Sequence, residues 1–457
     1  MEFDLVVLGG GPGGYVAAIR AAQYGLKTAL IEKDKLGGTC LNRGCIPTKA
    51  MLSTADILHK MSKASEFAII SDKISVDMPA LIERKNKIVN ELVTGIEKIC
   101  KGRKITVFNN FGVLSSKKSV KLDSGEEIFG KNIILATGSE PLNLPFLKID
   151  GENVITSNEA LNLNNVPENL LVIGGGVVGV EFASMFHEFG SKVTVVEMQK
   201  FLVPVEDNQV SRTLQTSFKK RGIDLKLGVK VEKIDVIRDG EISVSFDDGS
   251  TNTYSKVLAA LGRSINSKGV GFEEVGIQLD QKGFVQIDDR MKTNIDNIYA
   301  IGDVTGKLLL AHTASAQGLA AVGDICGKPF RVDYNSIPSA VFTTPEIASV
   351  GERENALKEN KADFKVSRFS FAAIGKAKAQ GEEDGFVKII TDSEGKKILG
   401  AHVIGPHASD VLSEITLVKA NNFDLDTIIN TVHSHPTLSE AVIEAAEGIH
   451  KLAIHSM

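Results

Sequence analysis

The chain has 457 residues, 43% of them apolar and 24% charged, with 52 Lys plus Arg against 57 Asp plus Glu and a net charge of −5. That length holds about two to four domains of ordinary size, and the balance is that of a globular protein. The negative charge argues against nucleic acid as the main partner, since phosphate binding wants a basic footprint. No apolar run approaches the roughly 20 residues that span a bilayer. The N-terminus shows no basic region followed by a long apolar stretch, so the cytoplasm is the expected location.

In chain order, the first pattern is "DLVVLGGGPGGYVAAIRAAQYGLKTALIEK", Asp4 to Lys33. A β-rich apolar run leads into a glycine cluster, a helical stretch and a second apolar run that ends in an acid, which predicts a strand–turn–helix–strand unit. Gly9, Gly11 and Gly14 form G-x-G-x-x-G, and Glu32 stands at the distance expected of a ribose-binding acid. The first glycine allows the tight turn, the second lets a pyrophosphate approach the backbone, and the third lets helix pack on strand. The helix N-terminus then offers N–H groups and a positive dipole end to phosphates.

Next comes "GGTCLNRGCIPTK", Gly37 to Lys49, which holds two of the four cysteines, Cys40 and Cys45. Residues five apart on a regular helix are about 7.5 Å apart along its axis, whereas a disulfide wants Cα atoms about 4.4–6.8 Å apart. A bridge here needs a local departure from ideal helix, and Gly44 and Pro47 are residue types that tolerate or cause one. A bridge closing so short a loop suits an exchanging pair better than a structural staple, and Lys49 favours a thiolate. The alternative is two buried thiols near a glycine turn. The spacing is not C-x-x-C and no second cysteine pair is in reach by sequence, so no metal is expected. Cys100 and Cys326 read as packing residues.

"NIILATGSEPLNLP", Asn132 to Pro145, predicts a strand, a turn and a proline-rich connector. The second unit, "NLLVIGGGVVGVEFASMFHEFGSKVTVVEM", Asn169 to Met198, repeats the first, with Gly174, Gly176 and Gly179 in the fingerprint and Glu197 as its acid. Two such units imply two different dinucleotides. Glu197 repels a 2′-phosphate, and Met198 and Gln199 are not basic, so NAD is favoured over NADP at the second. Further strands are expected in "VLAALGRSINS" and in "NIYAIGDVTG", where Asp303 sits at a strand's C-terminal end, the place where open α/β sheets bind ligands. From about Tyr334 the texture becomes antiparallel, with two β-rich runs in Gly385 to Gly405, and a separate α+β domain is expected.

A thiolate that is made and re-protonated needs a base near neutral pH, and histidine is the natural choice. Of nine histidines, His59, His187, His402, His407, His450 and His455 lie in ordinary contexts and read as structural, and His312 reads as a positioning residue. "HSHPTLSE" stands apart: His435 precedes Pro436, and Glu440 five residues on can fix the imidazole tautomer.

These motifs, in this order, resemble the class I pyridine nucleotide–disulfide oxidoreductases, over Asp4 to about Lys451. The resemblance is to the branch that oxidises protein-bound dihydrolipoamide at the expense of NAD⁺. It implies an α/β fold with two Rossmann-like dinucleotide-binding domains, for FAD and NAD, plus a C-terminal α+β dimerisation domain. The implied boundaries are 1–145 for FAD, 146–265 for NAD, 266–333 for a central domain completing the FAD site, and 334–457 for the dimer interface. It implies FAD at Gly9, Gly11, Gly14, Glu32, Lys49, Gly112, Asp303 and Ala311. It implies NAD at Gly174, Gly176, Gly179, Glu197, Val231 and Gly262, with Glu181 facing Lys49 beside the flavin. Cys45 is then the flavin-side sulfur, Cys40 exchanges with substrate, and His435, oriented by Glu440, is the base for the cysteines of the other subunit. The implied partners are a second copy of the chain and lipoyl domains of 2-oxo-acid dehydrogenase or glycine-cleavage complexes. One departure from the family pattern is Arg263-Ser264-Ile265-Asn266, which lacks a proline at its third position; a changed loop is expected there, with unchanged chemistry. Glutathione- and trypanothione-type reductases want basic residues where Glu197-Met198-Gln199 stands. Mercuric reductases want a C-terminal cysteine pair, absent from "KLAIHSM". Retention of Cys40, Cys45, His435 and Glu440 together speaks against a flavin-binding subunit that has lost its redox role.

Overall fold

A computed structural model of the chain describes residues 1–72, 74–144 and 147–455. It divides into two compact units. The first comprises Met1–Met51, Pro79–Asn143 and Gly262–Val332, and the second Leu52–Met78, Leu144–Leu261 and Asp333–Met457. The boundary expected between 145 and 146 falls on Pro145 and Phe146, which lie outside the described residues.

The first unit is built on a seven-stranded sheet. Its central strand, Glu2–Leu8, pairs in parallel with Thr28–Ile31 on one side and Glu127–Leu135 on the other. Leu5, Val6, Val7 and Leu8 are all buried, as expected of a parallel strand covered on both faces. Ile298–Ala300 adds a further parallel strand against Ile133–Leu135. Ser119–Leu122 and Gly112–Ser116 extend the sheet as an antiparallel edge.

The helix Pro12–Gln23 follows the first strand and buries Gly13, Gly14, Ala17, Ala18 and Ala21. Small residues let it lie almost against the helix Ala311–Ile325: a Cβ on Gly318 would meet the Gly13 carbonyl oxygen at 2.7 Å. Cys100 is buried in the cluster beneath these helices, and Cys326 packs on its edge, so both are packing residues.

In the second unit, Asp224–Leu227, Lys192–Glu197, Asn169–Ile173, Lys256–Ala259 and Val154–Ile155 form a five-stranded parallel sheet in that order. A three-stranded antiparallel sheet, Val231–Arg238, Glu241–Phe246 and Thr251–Tyr254, accompanies it. Residues 339–405 form an antiparallel five-stranded sheet, within which Phe386–Asp392 and Ile398–Gly405 make the hairpin expected from sequence. Residues of the helices Ala408–Ala420 and Glu440–Ile449 join this sheet's apolar cluster.

A buried ion cluster ties that sheet to the helix Asn208–Arg221. Lys388, on a central strand, is fully buried, and its Nζ donates to both carboxylate oxygens of Asp207 at 2.9 Å and contacts Glu354 Oε2 at 2.5 Å. Asp207 also caps the helix through the Gln209 N–H. Burial works to raise the Asp207 carboxyl, but the hydrogen bond from Lys388 and neighbouring positive charge outweigh it and hold the group below its usual value. Glu354 is lowered in the same way, with burial opposed by Lys358 and Lys388. A carboxyl depressed on folding contributes stability above its unfolded pKa and loses it as pH falls through the folded one. Lys388→Met is therefore expected to cost about 3–5 kcal/mol at pH 7, because it strands the buried Asp207 carboxylate, whereas Glu354 keeps Lys358. Urea midpoints across pH provide the check. The parent weakens on acidification below about pH 4, whereas the variant recovers part of its loss between pH 7 and 5 as the stranded carboxyl takes up a proton.

Candidate functional site

The two glycine turns are near-duplicates in three dimensions. Gly9 and Gly174 adopt φ of +109° and +107°, a region open to glycine but rarely to other residues. A Cβ on Gly9 would lie 2.2 Å from the Ala136 carbonyl oxygen, and one on Gly174 2.4 Å from that of Ala260. A Cβ on Gly14 would lie 1.8 Å from the Gly9 oxygen, and one on Gly179 1.9 Å from that of Gly174. The middle glycines differ in kind. Gly176 faces open space, and Gly11 has only the Gly38 Cα, at 4.0 Å. Each middle glycine is the N-cap of its helix with no side chain capping it. The turns thus keep room and N–H groups for a phosphate where the fingerprint requires them, so these residues fit a dinucleotide.

The two acids are also held alike. Glu32 accepts the Gly10 N–H at 2.7 Å through Oε2 and the Asp34 N–H at 2.9 Å through Oε1. Glu197 accepts the Gly175 and Gln199 N–H groups at 2.7 and 2.8 Å. A carboxylate offers about four lone-pair sites, so each retains acceptor capacity for a ribose hydroxyl.

The cysteine stretch folds as two helices, Gly38–Arg43 and Cys45–Ser62, interrupted at Gly44, whose φ and ψ are −134° and −114°. This is the departure from regular helix that a Cys40–Cys45 bond needs. A Cβ on Gly44 would press within 2.9 Å of the Thr39 carbonyl oxygen and 3.2 Å of the Cys40 Cα. Cys40 and Cys45 stand as thiols, side chain hydrogen-bonded to side chain. That bond, then burial, then the charge of a Cys45 thiolate push the Cys40 thiol up, while Lys49 opposes them. A pair so coupled carries one negative charge far more readily than two. Tyr15, which the sequence did not mark, lies close enough that burial and then the Cys40 charge raise its phenol.

Asp303 is the second residue of a short turn, Gly302–Thr305, after the strand Ile298–Ala300. It accepts a hydrogen bond from the Ser139 hydroxyl, and Arg263 Nε stands 3.6 Å away. Arg263 also donates to Ser139 Oγ and to its carbonyl oxygen, both at 2.6 Å. The segment expected to form a changed loop is a strand, Arg263–Ile265, paired antiparallel with Ser139–Pro141, and Asn266 Nδ2 donates to the Thr137 carbonyl at 3.0 Å. Gly112 is buried among Leu8, Ile31 and Val120, Ala311 opens its helix, and Gly262 has φ +112°.

In the second unit, Val231 begins its strand, and Glu181 is buried and accepts the Phe342 N–H at 2.9 Å. His435 Nδ1 lies 2.7 Å from Glu440 Oε1, and Glu440 Oε2 accepts the Thr437 N–H at 2.9 Å. Burial would raise the Glu440 carboxyl, but the bonds from His435 and Thr437 prevail and hold it below its usual value. The imidazole is 79% exposed while its acid is 25% exposed, so the ring is oriented from behind and open in front. One turn further on, Glu444 holds His455 through its ring, at 2.5 Å, and its N–H, at 3.2 Å. Sequence reading took His455 as structural. His433 is turned inward, bonded to Glu414 and to the Thr431 carbonyl.

Predicted residues thus gather around the first turn and the cysteines in one unit, and around the second turn and, separately, His435–Glu440 in the other. Among the described residues no group of three or more His, Cys, Asp or Glu is arranged to hold a metal ion, and no helix is long and apolar enough to cross a membrane.

Comparison with known proteins agrees with this geometry. Residues 3–318 match the family described as pyridine nucleotide-disulphide oxidoreductase, and residues 337–446 match its dimerisation domain. A dihydrolipoyl dehydrogenase from Chlamydia muridarum is 44% identical over 97% of this chain and 96% of its own. One from Bacillus subtilis is 42% identical over 99% of each. The crystal structure of LpdA from Mycobacterium tuberculosis superposes with a TM-score of 0.91 at 29% identity, covering 97% of this chain and 99% of that one.

Gly44→Ala tests the helix break. Crowding Cys40 and the Thr39 carbonyl costs about 1–3 kcal/mol in a packed setting, which shifts closure of the Cys40–Cys45 bond by roughly tenfold or more toward the dithiol. Counting alkylated thiols after equilibration in glutathione buffers measures it.

Proposed function

The chain belongs to the pyridine nucleotide-disulphide oxidoreductase family, and on that premise we propose that it oxidises protein-bound dihydrolipoamide to lipoamide and reduces NAD⁺ to NADH. The observation that carries this reading is the Cys40–Cys45 contact across the break at Gly44, one short segment away from a dinucleotide turn. Residues 1–145 hold FAD and 266–333 complete its site, 146–265 hold NAD, and 334–457 form the interface of a homodimer.

Gly9, Gly11 and Gly14 receive the FAD pyrophosphate, with the helix N-terminus behind them, and Glu32 accepts from the ribose. Lys49, Gly112, Asp303 and Ala311 complete the FAD site. Gly174, Gly176, Gly179 and Glu197 do the same for NAD, with Glu181, Val231 and Gly262 alongside. Bound at the first turn, FAD would supply the two-electron chemistry that links the protein dithiol to NAD⁺.

The chain's own residues do the sulfur chemistry. His435 Nε2 removes a proton from a substrate thiol while Glu440 holds the opposite ring nitrogen. The substrate thiolate attacks Cys40 of the closed disulfide, forming a mixed disulfide and releasing Cys45 as a thiolate. The second substrate thiol then attacks the mixed disulfide, lipoamide leaves, and Cys40 takes up a proton. Two electrons and two protons have passed from substrate to protein, leaving Cys45 as a thiolate with Lys49 one turn along its helix. The natural substrate is a lipoyl group on the swinging domain of a 2-oxo-acid dehydrogenase or glycine-cleavage complex, and the cysteines served by His435 are those of the second copy.

Purified holoprotein should turn over dihydrolipoamide with NAD⁺ in strong preference to NADP⁺. Cys45→Ser should lower that rate by roughly 10³-fold or more, since units of coupled catalytic residues fail together. His435→Gln should lower it by about 10²–10⁴, the usual worth of a positioned base. An undiminished rate in Cys45→Ser overturns the reading. Turnover of glutathione disulfide with NADPH in place of dihydrolipoamide moves it to a different reductase.

A further inference from the structure

Asn42 lies between the two cysteines, and its side chain turns back on the segment before them. Its amide nitrogen donates to the carbonyl oxygens of Gly38 at 3.0 Å, Leu36 at 3.1 Å and Lys35 at 3.4 Å, two hydrogens shared among three acceptors. Its amide oxygen is buried without a hydrogen-bond partner. Rotating the amide by half a turn would aim that oxygen at three carbonyl oxygens, so the donating orientation is fixed by its surroundings.

The loop that Asn42 grips is itself fastened to the first dinucleotide turn. The Gly37 N–H donates to the Gly10 carbonyl oxygen at 2.8 Å. A Cβ on Gly38 would stand 2.6 Å from the Gly11 Cα, so the two backbones are in direct contact there. A Cβ on Gly10 would meet the Leu36 side chain at 2.9 Å. Asn42 therefore closes a chain of contacts running from the cysteine helix through residues 35–38 to the turn proposed to hold the pyrophosphate.

We propose that Asn42 is a positioning residue for the cysteine pair: its amide locks the helix carrying Cys40 onto residues 35–38 and, through them, onto the turn at Gly10 and Gly11, setting the register between the sulfurs and the flavin. The inference rests on the FAD and disulfide reading above. It adds a residue whose amide acts through the backbone carbonyls of residues 35, 36 and 38.

The test uses full-length holoprotein carrying Asn42→Ala or the isosteric Asn42→Asp, which points a carboxylate at the three carbonyls. The readout specific to register is the long-wavelength charge-transfer absorption between a thiolate and oxidised flavin, developed by titration with dithiothreitol. It requires a sulfur stacked on the ring and is independent of which thiol is the natural substrate. Both variants should bind FAD yet lose most of that band, and the ratio of dihydrolipoamide turnover to NADH oxidation by an artificial dye should fall about 10²-fold, the scale of a misplacement of about 1 Å. A band of parental intensity in both variants overturns the proposal. So does a parallel fall in FAD content, dye turnover and thiol turnover, which would make Asn42 a fold residue only. If the parent shows the band but does not oxidise dihydrolipoamide, the substrate reading fails and the positioning role stands.

Discussion

A helix can begin against the end of a strand, with phosphate-sized space left at its mouth, only if the backbone at its first turn comes closer than any side chain permits. That constraint is met twice in this chain. The Gly14 position faces the Gly9 carbonyl, and Gly179 faces that of Gly174, at distances that exclude even a methyl group. The same two turns use a carboxylate 22 residues on, Glu32 or Glu197, to pin the N–H of the glycine between. The acid proposed to meet a ribose is therefore also a strut of the turn. Its geometry is set before any ligand arrives, which lowers the ordering cost of binding.

The redox segment inherits its position from the first of these turns. Gly38 carries no Cβ for the same reason Gly14 carries none: backbone touches backbone, here at Gly11, and the Gly37 N–H donates to the Gly10 carbonyl oxygen beside it. With the helix Gly38–Arg43 anchored at its start, the break at Gly44 decides where Cys45 falls relative to Cys40. Two thiols held this close take up a second negative charge with difficulty, and a closed bond removes that conflict. A bond that closes so short a loop suits exchange better than permanent stapling, and Lys49, one helical turn beyond Cys45, sets a positive charge near the pair that favours a thiolate. Packing of glycine backbones thus reaches into the redox chemistry through a few residues of chain.

What the sequence made legible follows from what is local. Fingerprint glycines, the acid closing each unit, the cysteine spacing and the His435–Glu440 interval are all patterns within about 30 residues, and the structure places each in the element expected of it. The hairpin at residues 386–405 and the packing roles of Cys100 and Cys326 were legible for the same reason. The residues that escaped notice act over long separations or through the backbone. Ser139 and Arg263 meet Asp303 from positions 164 and 40 residues earlier, and nothing in "ATGSE" or "LGRSIN" announces it. With isoleucine at position 265, where the family often has proline, the segment forms a paired strand instead of the altered loop expected. Lys388 meets Asp207 across 181 residues. Tyr15 approaches Cys40, and Glu444 captures His455, through tertiary packing alone. Asn42 sits inside the most recognisable motif of the chain, yet its partners are carbonyl oxygens, which have no sequence identity to read.

All four cysteines, Cys40, Cys45, Cys100 and Cys326, belong to the first compact unit, whereas His435 and Glu440 belong to the second. The imidazole is held by an acid at its back and is open on its other side, an arrangement that stabilises a proton acceptor without giving it a local donor. Val432, three residues earlier, is 96% exposed, and Leu417, Phe423, Leu452 and Ile454 on the same unit also present apolar side chains to solvent. Exposed apolar area of this kind favours coverage by another surface, and residues 337–446 match a dimerisation domain. In a symmetric dimer each copy meets its partner through the same patch, so apolar surface exposed on one copy is covered twice over by a single self-complementary contact.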